Sequence, residues 1–337
     1  MKHHLNTLYV TTQETYLAKD GQCLAVHQEG KLKAKFPIHT LESVVMFGQI
    51  SASPFLLGHC AENNVAVSWL TEYGRFLASM SGATRGNVLL RREQYRQADD
   101  LSRAAELARS LVIGKVANCR TVLRRTARER PNPALDRAAD TLSSVLDRLN
   151  PGLPLDVVRG LEGEAANIYF GVFDALISNR EFSFTGRNRR PPLDPVNALL
   201  SFLYTLLTHD VRGALECVGL DPNVGFLHRD RPGRPSLALD LMEEFRPYLA
   251  DRLVLTLINL RQIKAKDFKK RESGAVEMND ETRKLLLTAW QERKREEVEH
   301  PFLQEKMTVG FLWQIQARLM ARHIRGDLEI YPPFVVR

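Results

Sequence analysis

Cysteine is scarce in this sequence: four in 337 residues, with Cys23, Cys60, Cys119 and Cys217 far apart. No pair has the short spacing of a zinc ribbon or a thioredoxin-like site, so neither is expected, and the thiols read as reduced. Long apolar runs are missing as well, and nothing approaches the ~18 residues that span a bilayer. The opening MKHHLNTLYVTT lacks the apolar stretch and small-residue cleavage site of a secretory signal. The expectation is a soluble, cytoplasmic protein. No internal repeat with a period of about 20 to 50 residues is visible, which argues against a solenoid.

What is present is the composition of a folded chain, 44% hydrophobic and 26% charged, long enough for about two domains. Lys and Arg number 47 against 40 Asp and Glu, a formal charge of +7. That excess predisposes the protein to bind nucleic acid or another acidic surface, or serves solubility alone.

The two halves of the sequence differ in period. Over residues 6 to 82, NTLYVTT, TYLAKDG, QCLAVHQEG, KLKAKFPI, ESVVMFG, VAVSWLT and RFLASMSG read as short strands. Asp20-Gly21 and Glu29-Gly30 are tight-turn signals between them. One helix interrupts, with Ser53 as N-cap and Pro54 in its first position. From Asn87 onward the text has helical periodicity, broken at Pro131-Asn132-Pro133 and at Asn150-Pro151-Gly152. Further helices read at 195–218, 237–263, 280–299 and 302–325. The expected fold class is α+β: a small N-terminal β-rich domain with one helix, residues 1–85, then a larger all-α domain, residues 86–337.

Two segments of the helical half are basic. RNRRPPLDP carries Arg187, Arg189 and Arg190; KAKDFKKRESG carries Lys264, Lys266, Lys269, Lys270 and Arg271 and reads as a mobile loop. Two such segments in one domain favour phosphate contacts over mere solvation.

The richest stretch is GFLHRDRPGRPSLALDLMEEFRP, residues 225–247. Gly225, Pro232, Gly233 and Pro235 keep His228 on an irregular loop. Ser236 is a candidate N-cap for a helix on which Asp240 and Glu243, three apart, share a face. Glu244 is rotated by about 100° and reads as a solvent-side neighbour, like the loop residue Asp230. Pro247 predicts a kink or restart. Carboxylates near a helix start are commonly a polar stripe favoured by the dipole. Asp240, however, is surrounded by Leu237, Leu239, Leu241 and Met242, and a carboxylate among apolar residues needs a partner.

A second acidic stretch, RGLEGEAANIYF at 159–170, places Glu162 beside Gly163. A glycine inside a helix predicts close approach of another group to the backbone. Glu164 falls about 200° around the helix from Glu162, so only one of them faces a given site. Taken together, two or three carboxylates and one imidazole without cysteine suit Mg²⁺ or Mn²⁺ rather than structural zinc. Such an ion can polarise a phosphodiester. Tyr169 and Phe170 read as core residues and His59 as a packed or surface residue, while His300 and His323 flank helix ends where capping is common.

At these residues the chain resembles the CRISPR adaptation integrases, the Cas-one family. The resemblance is carried in order by Gly160-Leu161-Glu162-Gly163 through Tyr169-Phe170, by Asp194-Pro195-Val196-Asn197, by Gly225-Phe226-Leu227-His228, and by Asp240-Leu241-Met242-Glu243 with Arg246-Pro247. The opening LNTLYVTT is similar to the type I-C branch. The resemblance implies that Glu162, His228 and Glu243 are metal ligands and Asp240 a second acidic site residue. It places Asn197 and Tyr204 near the site. It further implies a metal-dependent DNA endonuclease and integrase that inserts short fragments into a repeat array by 3′-hydroxyl attack on a phosphodiester. The implied partners are double-stranded DNA, the small adaptation subunit (Cas-two) and a second copy of this chain, met through the N-terminal domain. A stand-alone nuclease on branched DNA and a non-catalytic DNA-binding scaffold of the same fold are the alternative expectations.

Overall fold

A computed structural model describes residues 6–63, 65–72, 76–80 and 88–336. The chain divides into two compact units, Met1–Gly86 and Asn87–Arg337. The boundary expected between residues 85 and 86 lies outside the described residues.

The first unit is β-rich because its apolar residues alternate and its turns are short. All seven expected strands form: β1 (Asn6–Val10), β2 (Tyr16–Asp20), β3 (Cys23–Gln28), β4 (Lys31–Pro37), β5 (Leu41–Phe47), β7 (Ala66–Leu70) and β8 (Phe76–Met80), with a two-residue β6 (Ser51–Ala52) added. They make two four-stranded sheets, ordered β1-β5-β7-β8 and β4-β3-β2-β6. Glu29 and Gly30, at φ +52° and +71°, make the mirror-image turn that matches strand twist between β3 and β4. Helix α1 (Pro54–Glu62) starts as expected, Ser53 Oγ accepting from the Leu56 amide at 3.2 Å. It supplies the crossover that lets β5 and β7 run parallel. Leu17, Leu24, Val44, Met46, Leu56 and Cys60 form the buried core.

The second unit is mainly helical: α2 (Val88–Asp99), α3 (Leu101–Glu129), α4 (Pro133–Arg148), α5 (Leu155–Gly171), α6 (Pro195–Val218), α7 (Ser236–Met242), α8 (Arg252–Asn259), α9 (Asp280–Arg295) and α10 (Leu312–Arg325). The β-rich region followed by a helical domain is the α+β class expected. None of the described helices is long and apolar enough to cross a membrane. Starts are set by side-chain caps with proline behind them: Asn132 before Pro133, Asp194 before Pro195. The 29-residue α3 is the spine, buried along Leu107, Leu111, Val116, Cys119 and Leu123, with α4 and α5 packed on it.

Several expectations give way to longer-range packing. The helix expected over 237–263 is divided into α7, a turn at Glu243–Phe245, a π-helical turn (Arg246–Asp251) and α8. Pro247, which lacks an amide hydrogen, sits in that π turn. Ser236 does not cap α7; its hydroxyl donates to the Arg229 carbonyl at 3.3 Å. The basic segment 264–274 is not all loop: it holds a 3-10 turn (Ala265–Asp267) and β9 (Phe268–Lys270), which pairs antiparallel with β10 (Val276–Met278). Residues 302–308 are not helical; β11 (Glu297–Glu299) and β12 (Lys306–Thr308) form a second hairpin, and a 3-10 turn (Val309–Phe311) leads from it into α10. A Cβ at Gly163 would meet nothing within 4 Å, so no group crowds that backbone. The close approach is at Gly225, where a Cβ would lie 2.7 Å from Ser236 Cβ and 2.8 Å from Asp240 Oδ2.

Candidate active site

The loop 225–228 is held down by one carboxylate. Asp240, on α7 and fully buried, accepts from the amides of Phe226 (2.6 Å) and Leu227 (3.0 Å) through Oδ2 and of His228 (2.9 Å) through Oδ1. Its Oδ1 also lies 2.6 Å from His228 Nδ1. Because that oxygen can only accept, Nδ1 carries the proton and Nε2 keeps its lone pair for a cation or a proton. The close packing at Gly225 now has a purpose: a side chain there would push the loop off Asp240.

His228 Nε2 is 4.0 Å from Glu243 Oε1, just beyond the end of α7. Glu243, 1% exposed, is ringed by positive charge. Arg246 Nη1 lies 2.7 Å from its Oε1, and Lys115 Nζ lies 2.8 Å from its Oε2. Lys115, from the middle of α3, also bonds Glu162 Oε1 on α5. Burial alone would raise the Glu243 carboxyl, but Arg246, then Lys115 and His228, outweigh it and hold it well below the usual carboxylate range. Burial works against the Lys115 ammonium in the same way, and Glu243 and Glu162 more than restore it, pushing its pKa up.

The four residues singled out in the sequence are therefore brought together, with Glu162 and Glu243 meeting at a lysine and His228 linking Glu243 to Asp240. Among the described residues no three His, Cys, Asp or Glu side chains are grouped so as to hold a metal ion. The donor chemistry nevertheless fits a hard cation. Glu162 and Glu243 converge on one positive charge, and the buried Glu243 Oε2 has no aligned hydrogen-bond donor. Two donors that each stand ~2.1 Å from one ion lie up to about 4.2 Å apart, and His228 Nε2 and Glu243 Oε1 are within that. Glu162 and His228 face a cleft of about 510 Å³, lined also by Arg159, Arg229, Arg231 and Arg234. Arg159 is fixed by its bond to the Leu227 carbonyl at 2.6 Å, and Arg229 is 70% exposed at the rim.

Residues 8–292 match the family described as CRISPR associated protein Cas1. The chain is 57% identical over its whole length to the CRISPR-associated endonuclease Cas1 1 of Chlorobaculum tepidum, whose whole length it also covers. It is 52% identical to the CRISPR-associated endonuclease Cas1 2 of Rhodospirillum rubrum, over 99% of each chain. The chain belongs to the Cas1 family. Solved structures share the Cas1 fold: a Cas1 protein from Thermotoga maritima (TM-score 0.83, 23% identity, 96% and 97% of the two chains) and a casposase bound to integration product (TM-score 0.85, 21% identity, 99% and 95%).

Other residues of this Cas1-family chain are placed differently from expectation. Glu244 is not on the solvent side but fully buried. It accepts from Tyr331 Oη (2.7 Å), Gln316 Nε2 (2.9 Å) and the Phe334 amide (2.7 Å), which fastens the C-terminal segment. Burial pushes its carboxyl up to about 8, against the downward pull of those three donors. Asn197 is buried and spent on the loop before α6: its Oδ1 accepts from Arg187 Nη1 at 2.7 Å and its Nδ2 donates to the Gly186 carbonyl at 2.8 Å. Arg187 is thus built into the fold rather than free to meet phosphate. Tyr204 donates to Asp251 Oδ1 at 2.6 Å, and the Arg187 and Arg246 guanidiniums lie 5.2 and 4.8 Å from its ring centre. Tyr169 donates to the other Asp251 oxygen at 3.1 Å, and burial raises the Asp251 carboxyl to about 6. His300 flanks no helix end: its Nδ1 accepts from the amides of Phe302 and Leu303 in the turn between β11 and β12.

Neither Lys115 nor Asp251 is singled out by the sequence, and Arg246 enters there only as part of a motif, with no role. For Lys115 a signal existed: it interrupts the apolar run SLVIGKVANC, as Asp240 interrupts its own.

Proposed function

We propose that this chain is a divalent-metal-dependent DNA endonuclease and integrase of CRISPR adaptation, joining short DNA fragments to a repeat array. The observation that carries the reading is the convergence of Glu162 and Glu243 on one cation position beside the free Nε2 of His228. Family membership supports it, as do relatives named as endonucleases and a structural neighbour bound to integration product.

Glu162, His228 and Glu243 would hold Mg²⁺ or Mn²⁺. The ion, when bound, supplies Lewis-acid polarisation of a phosphodiester and stabilises charge on the leaving oxygen. The residues do the rest. Asp240 fixes the imidazole tautomer so that Nε2 faces the carboxylates. Arg246 keeps Glu243 charged in its buried position. Arg159, Arg229, Arg231 and Arg234 around the cleft offer guanidiniums to the DNA backbone, the term that dominates affinity for nucleic acid. No side chain need attack, because the 3′-hydroxyl of the incoming DNA is the nucleophile in integration and water in cleavage.

The partners of this reading are double-stranded DNA, the small subunit Cas2 and a second copy of the chain. Solved neighbours include Cas1–Cas2 complexes. In the first unit Phe55 is 82% exposed and Leu77 51%, which supports an apolar contact there with the second copy. The deciding experiment incubates the chain and its Cas2 with a fragment and a supercoiled array plasmid, with and without Mn²⁺. Joined product that needs the metal and vanishes with Glu162→Gln is expected. Nicking without joining would reduce the protein to a nuclease, and no metal-dependent reaction at all would leave a scaffold.

A further inference from the structure

We infer that Lys115 is the resident cation of the Glu162–Glu243 pair, holding the place of the divalent ion until that ion displaces its ammonium, so that Lys115 sets how much metal the site needs. This rests on the metal-dependent reading above and adds a site residue to it.

Three observations carry the inference. The first is position. Lys115 projects from the central helix α3 into the space between carboxylates borne by α5 and by the end of α7, and contacts both. An ion shared by those carboxylates must enter the same space. The second is chemistry. An ammonium has three donors and no acceptor, so it satisfies carboxylates as a metal does but cannot join a metal as a ligand. It is also a single charge on a flexible four-carbon stem, able to withdraw where a planar guanidinium would be held at two points. The third is asymmetry in what is left behind. Glu243 keeps Arg246 on its Oε1 at 2.7 Å when Lys115 leaves, whereas among the described residues its Oε2 faces Lys115 alone. One oxygen has permanent compensation and the other an exchangeable one.

A lysine that served structure alone would behave differently, and the sign of one measurement separates the two roles. Removing a cation that competes for the carboxylates raises metal affinity, because a unit charge a few ångströms from the ion no longer opposes it. Removing a merely structural lysine disorders the carboxylates and lowers affinity.

The test is calorimetric titration of Mn²⁺ into the full chain at pH 7.5, for wild type, Lys115→Met and Lys115→Gln, with Glu162→Gln as the control. Both Lys115 variants are expected to bind Mn²⁺ at least tenfold more tightly than wild type, to melt lower without metal, and to gain more in Tm from saturating Mn²⁺. Affinity equal to or below wild type in both variants, with binding lost in Glu162→Gln, overturns the role of Lys115 and leaves the metal reading standing. Binding that Glu162→Gln does not alter overturns the metal reading itself. A measurement on the unaltered chain covers failure of the variants to fold. In lysine-selective ¹⁵N spectra, the Lys115 Nζ signal is expected to shift and exchange faster with water as Mg²⁺ is added. A signal unmoved at saturating Mg²⁺ overturns the inference.

Discussion

Glu243 and Glu244 are neighbours in sequence, are equally buried, and end in opposite states. Burial pushes both carboxyls up. Around Glu243 the partners are charged, Arg246 and Lys115, and their attraction at short range in a low-dielectric interior exceeds the desolvation cost, so the group stays ionised. Around Glu244 the partners are neutral, Tyr331 Oη, Gln316 Nε2 and the Phe334 amide, and three neutral donors leave burial dominant. The difference teaches that depth does not decide the charge of a carboxylate; the charge of its partners does. One step along the chain separates a group that offers negative charge to a cleft from one that fastens the C-terminal segment to the helical core.

The largest effect that could break this contrast is catalytic. Glu243→Gln should lower metal-dependent DNA cleavage by at least about 10³-fold, and Glu244→Gln should leave it within about threefold, in parallel nicking assays at pH 7.5. Equal losses would place both glutamates in the chemistry and erase the distinction.

The next effect is on stability. Glu244 has a folded-state pKa of about 8 against an ordinary 4.5. The stability it contributes is therefore complete below about pH 4.5 and is lost as pH rises toward 8, because the unfolded chain releases the proton first. Glu244→Gln, which imitates the protonated acid, should remove that loss. Chemical denaturation should find the variant more stable than wild type by on the order of 2–4 kcal/mol at pH 9, with the gap closing toward pH 5. A gap that does not change with pH would mean that Glu244 is ionised throughout.

Asp240 sharpens the comparison as a third buried carboxylate, hydrogen-bonded by three amides and an imidazole. Asp240→Asn keeps the shape but presents an amide in place of a purely accepting group, and the His228 tautomer is no longer fixed. Mn²⁺ affinity by calorimetry should fall by about 10- to 100-fold, with little loss of helix by circular dichroism. Unchanged affinity would make Asp240 a loop clamp with no influence on the imidazole. The smallest expected effect is that of Tyr331→Phe, which removes one neutral donor from Glu244. It should cost about 1 kcal/mol of stability at pH 7 and nothing in cleavage.

Much of this arrangement is legible from local residues. Alternating apolar residues and Gly turns mark the strands, and Ser53-Pro54, Asn132-Pro133 and Asp194-Pro195 mark helix starts. The acidic residue inside an apolar turn singles out Asp240, and the same criterion applied to SLVIGKVANC would have singled out Lys115. Glu244 is misread for a definite reason. Counting 100° per residue assumes a continuous helix, and the chain turns at 243–245 before a π-helical turn. The groups that cover Glu244 also come from 72 to 90 residues further on, where no local periodicity can reveal them. Gly163 misleads in the opposite sense: its helical setting predicts a close approach that does not occur, and Gly225, in a loop, bears it instead.

By itself the sequence determined the α+β division, the helix starts, the loop that carries His228, and the family, since these follow from backbone sterics, turn chemistry and short ordered motifs. Only the tertiary structure decided that Lys115 meets Glu162 across 47 residues, that Asp240 turns its oxygens to the loop and the imidazole, and that Glu244 faces the C-terminal segment rather than water. The physical reason is that a buried charge takes its state from whatever packing brings within a few ångströms of it, and those partners arrive from distant parts of the chain.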